Sequence, residues 1–211
     1  IAMSVKAILW DFGGVITSSP FEGFARYENT AGLPEGFIRK VNTINPDANA
    51  WARFERREID RQGFVTAFEA AAQALGQSVS GEAVLARLAG APRPIMVRAL
   101  ERVKTRYTIA CLTNNVARTP RPPEQEAEIA RIMGLFSHVI ESSKIGSRKP
   151  EKRFYEYALQ TVGVAASEAV FLDDLGVNLK SAREMGMSTI KVTDPNAALE
   201  NLARTRDMDL I

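Results

Sequence analysis

The chain carries near its start the stretch Val5-Lys6-Ala7-Ile8-Leu9-Trp10-Asp11-Phe12-Gly13-Gly14-Val15-Ile16-Thr17. Its apolar residues run without alternation from Ala7 to Trp10 and stop at an acid, Asp11, followed closely by two glycines. An unbroken apolar run is typical of a parallel strand that is buried on both faces. In open α/β sheets, ligands bind at the carboxyl ends of the strands, and glycines let the backbone approach an ion or a phosphate closely. We therefore expect Asp11 to lie at the ligand-binding edge of a sheet.

The composition is that of a globular protein with one good core and a smaller accessory unit. The 211 residues are 45% hydrophobic, and 27 Lys and Arg against 25 Asp and Glu leave a net charge of +2. This balance predicts no strong attraction to nucleic acid or to a membrane surface. With one cysteine, no apolar run near the roughly 20 residues of a membrane span and no leader pattern, the expected location is cytoplasmic. Nothing in the sequence specifies an oligomeric state.

Residues 18–90 have helical periodicity, many alanines and arginines, and no convincing strand. Four helices are expected there: one opened by Pro34, one over residues 50–57, one capped by Asp60 and one capped by Ser80. We interpret this segment as a helical cap inserted into a core domain. The alternative is that these helices are the helical half of a single α+β domain.

The core domain is then formed by residues 1–17 and 91–211. From Pro94 onward the pattern alternates between helix and strand, which favours an α/β fold with a parallel sheet covered by helices. Further strands are expected over residues 107–113, 136–140, 169–172 and 188–192.

Polar residues follow three of the predicted strands: Asp11, Thr113 with Asn114, and Asp173 with Asp174. Lys149 precedes a predicted helix that lies between the last two of these three strands in the sequence. Each is a weak signal alone, because acids and asparagines are common in turns and a lysine is usually solvated. Together they predict one site. Carboxylates from two strand ends suit Mg²⁺, and a hydroxyl and a lysine beside them would hold phosphate oxygens.

The chain resembles the haloacid dehalogenase superfamily of aspartate-nucleophile hydrolases, whose four motifs have counterparts in order. They are Trp10-Asp11-Phe12-Gly13-Gly14-Val15, Cys111-Leu112-Thr113-Asn114-Asn115, Ser147-Arg148-Lys149-Pro150 and Phe171-Leu172-Asp173-Asp174-Leu175-Gly176-Val177-Asn178-Leu179. Residues 111–192 look like the N-terminal phosphatase domain of soluble epoxide hydrolases. The loop with two glycines looks more like the N-terminal domain of acyl-CoA dehydrogenase family member 10. The resemblance implies a Rossmann-like three-layer sandwich with a parallel sheet and an inserted helical cap.

The resemblance also implies roles for the polar residues in a phosphatase reaction. Asp11 would be the nucleophile that forms an aspartyl-phosphate, and Thr113, Asn114 and Lys149 would bind the phosphoryl group of a small phosphorylated substrate. Mg²⁺ would be held by Asp11, by the backbone carbonyl of Gly13 and by Asp174. By the same resemblance, Asp173 would lie just outside the metal's direct ligands or bind it through a water, and Asn178 would orient the loop.

Gly13 departs from the pattern of the phosphatases in this superfamily, which usually carry an acid/base aspartate two residues after the nucleophile. Loss of general acid–base catalysis is expected to slow the hydrolysis of alkyl phosphates by about 10²- to 10⁴-fold. One hypothesis is a Mg²⁺-dependent phosphohydrolase with weak or selective activity. A second is a non-catalytic relative that binds a phosphorylated ligand or a protein partner. A third is a 2-haloacid dehalogenase, in which no proton need reach the leaving group.

Charged residues alternate in the middle of the predicted cap: Arg53, Glu55, Arg56, Arg57, Glu58, Asp60 and Arg61. Such mixing favours a solvated helix face over a surface that binds an anionic substrate. Arg148, next to Lys149, is expected in solvent, with a second contact to phosphate as the alternative.

Overall fold

A computed structural model of the chain describes residues 5–116 and 121–206. Its elements are β1 (Ala7–Trp10), α1 (Pro20–Ala31), α2 (Phe37–Thr43), α3 (Ala50–Glu55), α4 (Arg61–Ala74), α5 (Gly81–Leu85), α6 (Pro94–Val103), β2 (Thr108–Thr113), α7 (Pro123–Met133), β3 (His138–Glu141), α8 (Ser142–Ile145), α9 (Lys152–Val162), β4 (Ala169–Asp173), α10 (Gly176–Glu184), β5 (Ser188–Lys191) and α11 (Pro195–Arg206). In this described part of the chain, no helix is both long and apolar enough to cross a membrane.

The five strands form one parallel sheet in the order β3-β2-β1-β4-β5, with β1 at its centre. Successive side chains of a strand point to opposite faces, so β1 contributes to two cores. Ile8 and Trp10 pack with apolar residues of α6, α7 and α11, whereas Ala7 and Leu9 pack with those of α9 and α10. All four are fully buried. The predicted Rossmann-like α/β sandwich of three layers, with a parallel sheet in the middle, is confirmed.

Helices α1 to α5 lie between β1 and α6 and surround a hydrophobic cluster of their own. Phe64 lies at its centre, with ring centroids 4.5 Å from Trp51, 5.0 Å from Phe54 and 5.5 Å from Phe68. The two chain segments that connect these helices to the sheet region run antiparallel and form an isolated β-bridge between Thr17 and Pro92. This entry and exit lie close to the predicted boundaries of the cap, and the division into domains stays a prediction.

The inserted region differs from the prediction mainly at its start. All of residues 18–90 are described, and they form five helices instead of the four expected, because no separate helix was assigned before Pro34. The missed signal is local: Ser19 and Glu22 form a capping box, and a proline occupies the first helical turn. The capping roles of Asp60 and Ser80 are confirmed by their hydrogen bonds to the backbone amides of Gly63 and Ala83.

Helix α2 begins after Gly36, later than Pro34 suggested, because its N-terminus is capped from another helix. The buried carboxylate of Glu28 on α1 accepts hydrogen bonds from the amides of Gly36 and Ile38, each 2.8 Å long. A carboxylate at this position satisfies amides that have no partner within the helix and favours the positive end of the helix dipole. The start of α2 therefore depends on a contact across the inserted region.

Candidate active site

Three carboxylates meet at the carboxyl edge of the sheet. Asp11 follows β1, Asp173 is the last residue of β4 and Asp174 comes next; β1 and β4 are parallel neighbours. One oxygen from each side chain lies within 4.8 Å of the others. Asp11 and Asp173 are buried, and Asp174 is half-buried. The structure thus brings together the acids that the sequence placed at two strand ends.

Lys149 is the positive charge of this cluster. Its side chain is 1% exposed, and Nζ lies 2.7 Å from Oδ1 of Asp11 and 2.7 Å from Oδ2 of Asp173. Burial lowers the pKa of Lys149, but the two carboxylates raise it more, so the pKa lies above its usual range and the ammonium stays charged. The alternative of a solvated lysine is therefore wrong.

When all three acids are ionised, they carry more negative charge than Lys149 neutralises, and two of them have a raised pKa. Burial raises the pKa of Asp11 to about 8, with Lys149 opposing the shift and Asp173 adding to it. Burial, reinforced by the charge of Asp173, likewise raises the pKa of Asp174 to about 6. Three carboxylates beside one ammonium leave an excess of negative charge that a divalent cation would neutralise.

The donor set fits Mg²⁺, which prefers carboxylate, carbonyl and water oxygens. Of these three acids, Asp173 accepts the most hydrogen bonds from the described residues. It accepts hydrogen bonds from Lys149, from the Asn178 side chain at 3.0 and 3.1 Å, and from the Leu175 amide at 2.8 Å. Asp11 and Asp174 would therefore be the direct carboxylate ligands.

The two glycines after Asp11 are needed for different reasons. Gly14 has φ +83°, and a Cβ there would lie 2.3 Å from Oδ2 of Asp174, so the backbone passes directly against that carboxylate. Gly13 has φ outside the left-handed region, and among the described residues a Cβ there would meet Pro20 alone, at 3.9 and 4.0 Å. The described part of the fold therefore leaves room for a Cβ at position 13.

Thr113 and Asn114 also lie at this edge, at the end of β2 beside β1. Thr113 is half-buried. The Asn114 side chain holds the backbone of Lys149 on both sides: its Oδ1 accepts from the Lys149 amide at 2.9 Å, and its Nδ2 donates to the Lys149 carbonyl at 3.0 Å. The structure thus adds a contact with Lys149 to the predicted role of Asn114 in binding phosphate.

Three of the charged residues expected in solvent, Glu55, Arg56 and Arg148, instead lie between the inserted helices and the sheet region. Glu55 and Arg56, at the end of α3, have side chains that are each only 15% exposed. Glu55 pairs with Arg148 at 2.5 Å, and Arg56 pairs with Glu151 at 2.8 Å. Burial raises the pKa of Glu55, an effect that Arg148 opposes. No sequence signal points to these pairs, because the partners are 93 and 95 residues apart.

The chain is similar to a known protein family and to several individual proteins. A family model for haloacid dehalogenase-like hydrolases matches residues 5–186. Acyl-CoA dehydrogenase family member 10 of Mus musculus is 31% identical over 94% of this chain and 19% of that protein. Bifunctional epoxide hydrolase 2 of Sus scrofa is 27% identical over 99% of this chain and 40% of that protein. The chain thus spans less than half of these two relatives.

Two further matches extend along almost the full length of their partners. A sesquiterpene phosphatase of Aspergillus oryzae is 26% identical over 93% of this chain and 94% of that protein. Among solved structures, a haloacid dehalogenase family enzyme of Bacteroides thetaiotaomicron, in complex with magnesium and inorganic phosphate, superposes with a TM-score of 0.58. It is 19% identical and covers 89% of this chain and 94% of its own, so this likeness concerns the fold.

Proposed function

This chain belongs to the haloacid dehalogenase-like hydrolases, and we propose that it is a Mg²⁺-dependent phosphohydrolase acting on a small phosphorylated metabolite. The observation that carries the proposal is the buried Lys149, which joins Asp11 to Asp173 at the sheet edge, with Asp174 beside them. This arrangement supports a reaction in which Asp11 is the nucleophile, Lys149 binds phosphoryl oxygens and Asp174 binds the metal, all within one cluster. The likeness to a phosphatase over nearly the whole chain supports the same chemistry.

In the proposed reaction, Lys149 and Thr113 bind phosphoryl oxygens and orient the phosphorus toward Asp11. An oxygen of Asp11 attacks, so that an aspartyl-phosphate bond forms while the bond to the leaving oxygen breaks. Water then cleaves the aspartyl-phosphate and restores the carboxylate. Mg²⁺, held by Asp11, the Gly13 carbonyl and Asp174, would neutralise the charge that keeps two anions apart.

Gly13 sets the limit of this activity. With no side chain at that position to protonate the leaving alkoxide, substrates with good leaving groups, such as acyl or aryl phosphates, are favoured over alkyl phosphates. We further propose that residues 18–90 act as a cap that shields the reaction from water. Their separate hydrophobic cluster and the paired connections at Thr17 and Pro92 support this division.

The test is release of inorganic phosphate from a panel of acyl, aryl and alkyl phosphates, with Mg²⁺ and with a chelator. We expect turnover of the first two classes that requires Mg²⁺ and disappears in Asp11→Asn. Mg²⁺-dependent phosphate binding without release from any substrate would contradict the proposal. That result would instead favour a non-catalytic protein that binds a phosphorylated ligand, the alternative that Gly13 suggests.

A further inference from the structure

We propose that Glu55 of the inserted helices is a positioning residue for Lys149, so that the lysine is held for reaction when these helices are docked on the sheet region. The inference rests on the proposed function for the role of Lys149 in the reaction. Its structural basis is a set of contacts around one carboxylate oxygen. Glu55 itself is not assigned a contact with the substrate.

One oxygen of Glu55 contacts both Arg148, which precedes Lys149 in the chain, and Asn114, which binds the Lys149 backbone. Oε2 accepts a hydrogen bond from Nε of Arg148 at 2.5 Å and from Nδ2 of Asn114 at 3.2 Å. Arg148 is the chain neighbour of Lys149, and Asn114 binds its amide and its carbonyl. A primary amide has two N–H donors and one carbonyl oxygen. The contact with Glu55 therefore engages the donor of Asn114 that Lys149 leaves free.

A second ion pair, between Arg56 and Glu151, stabilises the segment around Lys149 from its C-terminal side. Arg56 donates to Oε1 of Glu151 at 2.8 Å, while Oε2 of Glu151 accepts from the Ser147 hydroxyl at 2.7 Å and from the Arg148 amide at 3.3 Å. Glu55, the last residue of α3, and Arg56, the next residue, thus contact residues on both sides of Lys149 in the sequence, Arg148 and Glu151.

This arrangement is sensitive to the position of the inserted helices. Hydrogen bonds to charged groups require close approach and good alignment, and they weaken steeply when partners separate. If α3 moves away, Arg148 and Asn114 lose the acceptor that joins them, and the Asn114 side chain that binds the Lys149 backbone loses its contact with Glu55. The expected consequence is more frequent local opening around Lys149.

Hydrogen exchange of the Lys149 amide, measured by NMR on the intact metal-free protein, tests the coupling without any assay of turnover. This amide donates to Asn114, so its exchange reports on that support. In Glu55→Ala we expect exchange to accelerate by about 10-fold or more, the effect of losing a hydrogen bond to a charged group. Glu55→Gln, which keeps the shape and one acceptor, should lie between Glu55→Ala and the wild type.

Glu82→Ala is the matched control, because Glu82 also pairs with an arginine, Arg61, but within the inserted helices. It should leave exchange at Lys149 unchanged. In an Asn114→Ala background, Glu55→Ala should add little, since the support through which it acts is already lost. Wild-type exchange in folded Glu55→Ala and Glu55→Gln would overturn the inference.

The two proposals fail separately. Faster exchange at Lys149 in Glu55→Ala, together with a wild type that releases no phosphate from any substrate, supports the positioning role and contradicts the phosphohydrolase. Normal exchange in a Glu55 variant that retains full phosphatase turnover does the reverse.

Discussion

Replacing Gly13 by aspartate is the change that separates a weak enzyme from a binding protein. We expect the position to accept a side chain, since its backbone is not left-handed and a Cβ there would lie 3.9 Å from Pro20, its nearest neighbour among the described residues. Substituting a glycine at such a position stabilises a fold by about 0.4–1 kcal/mol. A fourth carboxylate beside Asp11, Asp173 and Asp174 opposes this gain, so we expect only a small change in Tm.

The catalytic effect is expected to be much larger. A positioned general acid contributes about 10²- to 10⁴-fold, which corresponds to about 2.7–5.4 kcal/mol of activation free energy. The gain should appear in kcat/KM for alkyl phosphates, whose leaving alkoxides need a proton. For aryl phosphates with good leaving groups, the same variant should differ little from wild type. The ratio of the two rates is therefore the informative quantity.

Steady-state phosphate release with saturating Mg²⁺, measured on one alkyl and one aryl phosphate, provides the assay. Gly13→Asn is the matched control, because it adds a side chain of nearly the same size that donates no proton at neutral pH. Two results refute the reasoning: a folded Gly13→Asp that gains nothing on the alkyl phosphate, or an equal gain in Gly13→Asn. Either would show that the missing acid does not limit turnover.

Three other expectations follow from the site and the fold. Asp11→Asn should reduce phosphate release to background on every substrate while phosphate binding, measured calorimetrically, persists. Because burial raises the pKa of Asp174 to about 6, the folded state holds its proton more tightly than the unfolded state, so metal-free protein should lose stability as pH rises from about 4 through 6. Asp174→Asn should flatten that loss in thermal unfolding, and Mg²⁺ should offset it in the wild type. Glu28→Ala should lower stability by about 2–3 kcal/mol, because the amides of Gly36 and Ile38 lose a charged acceptor, and denaturant unfolding measures it.

The position of most site residues can be predicted from sequence patterns within the individual strands. The unbroken apolar run of β1 predicted a strand buried on both faces, and parallel strands bring their carboxyl ends to one edge, which placed Asp11 with Asp173. At Gly14 the backbone passes against the Asp174 carboxylate, and the approach of this loop to an ion or a phosphate stays a prediction. Hydrophobic periodicity and helix caps act within a few residues, so they can be recognised without knowledge of the fold.

The contacts between the inserted helices and the sheet region cannot be recognised in this way, because they join residues that are far apart in the sequence. Alternating charges around Glu55 and Arg56 are typical of a solvated helix, and only the docking of α3 decides that both side chains are buried against Arg148 and Glu151. The sequence assigned Lys149 to the site, but only the fold buries its ammonium between the carboxylates of Asp11 and Asp173. The sequence by itself determined which chemical groups are present and at which sheet edge they gather. The tertiary structure decided which charges are desolvated and paired, because desolvation depends on surfaces that meet from distant parts of the chain.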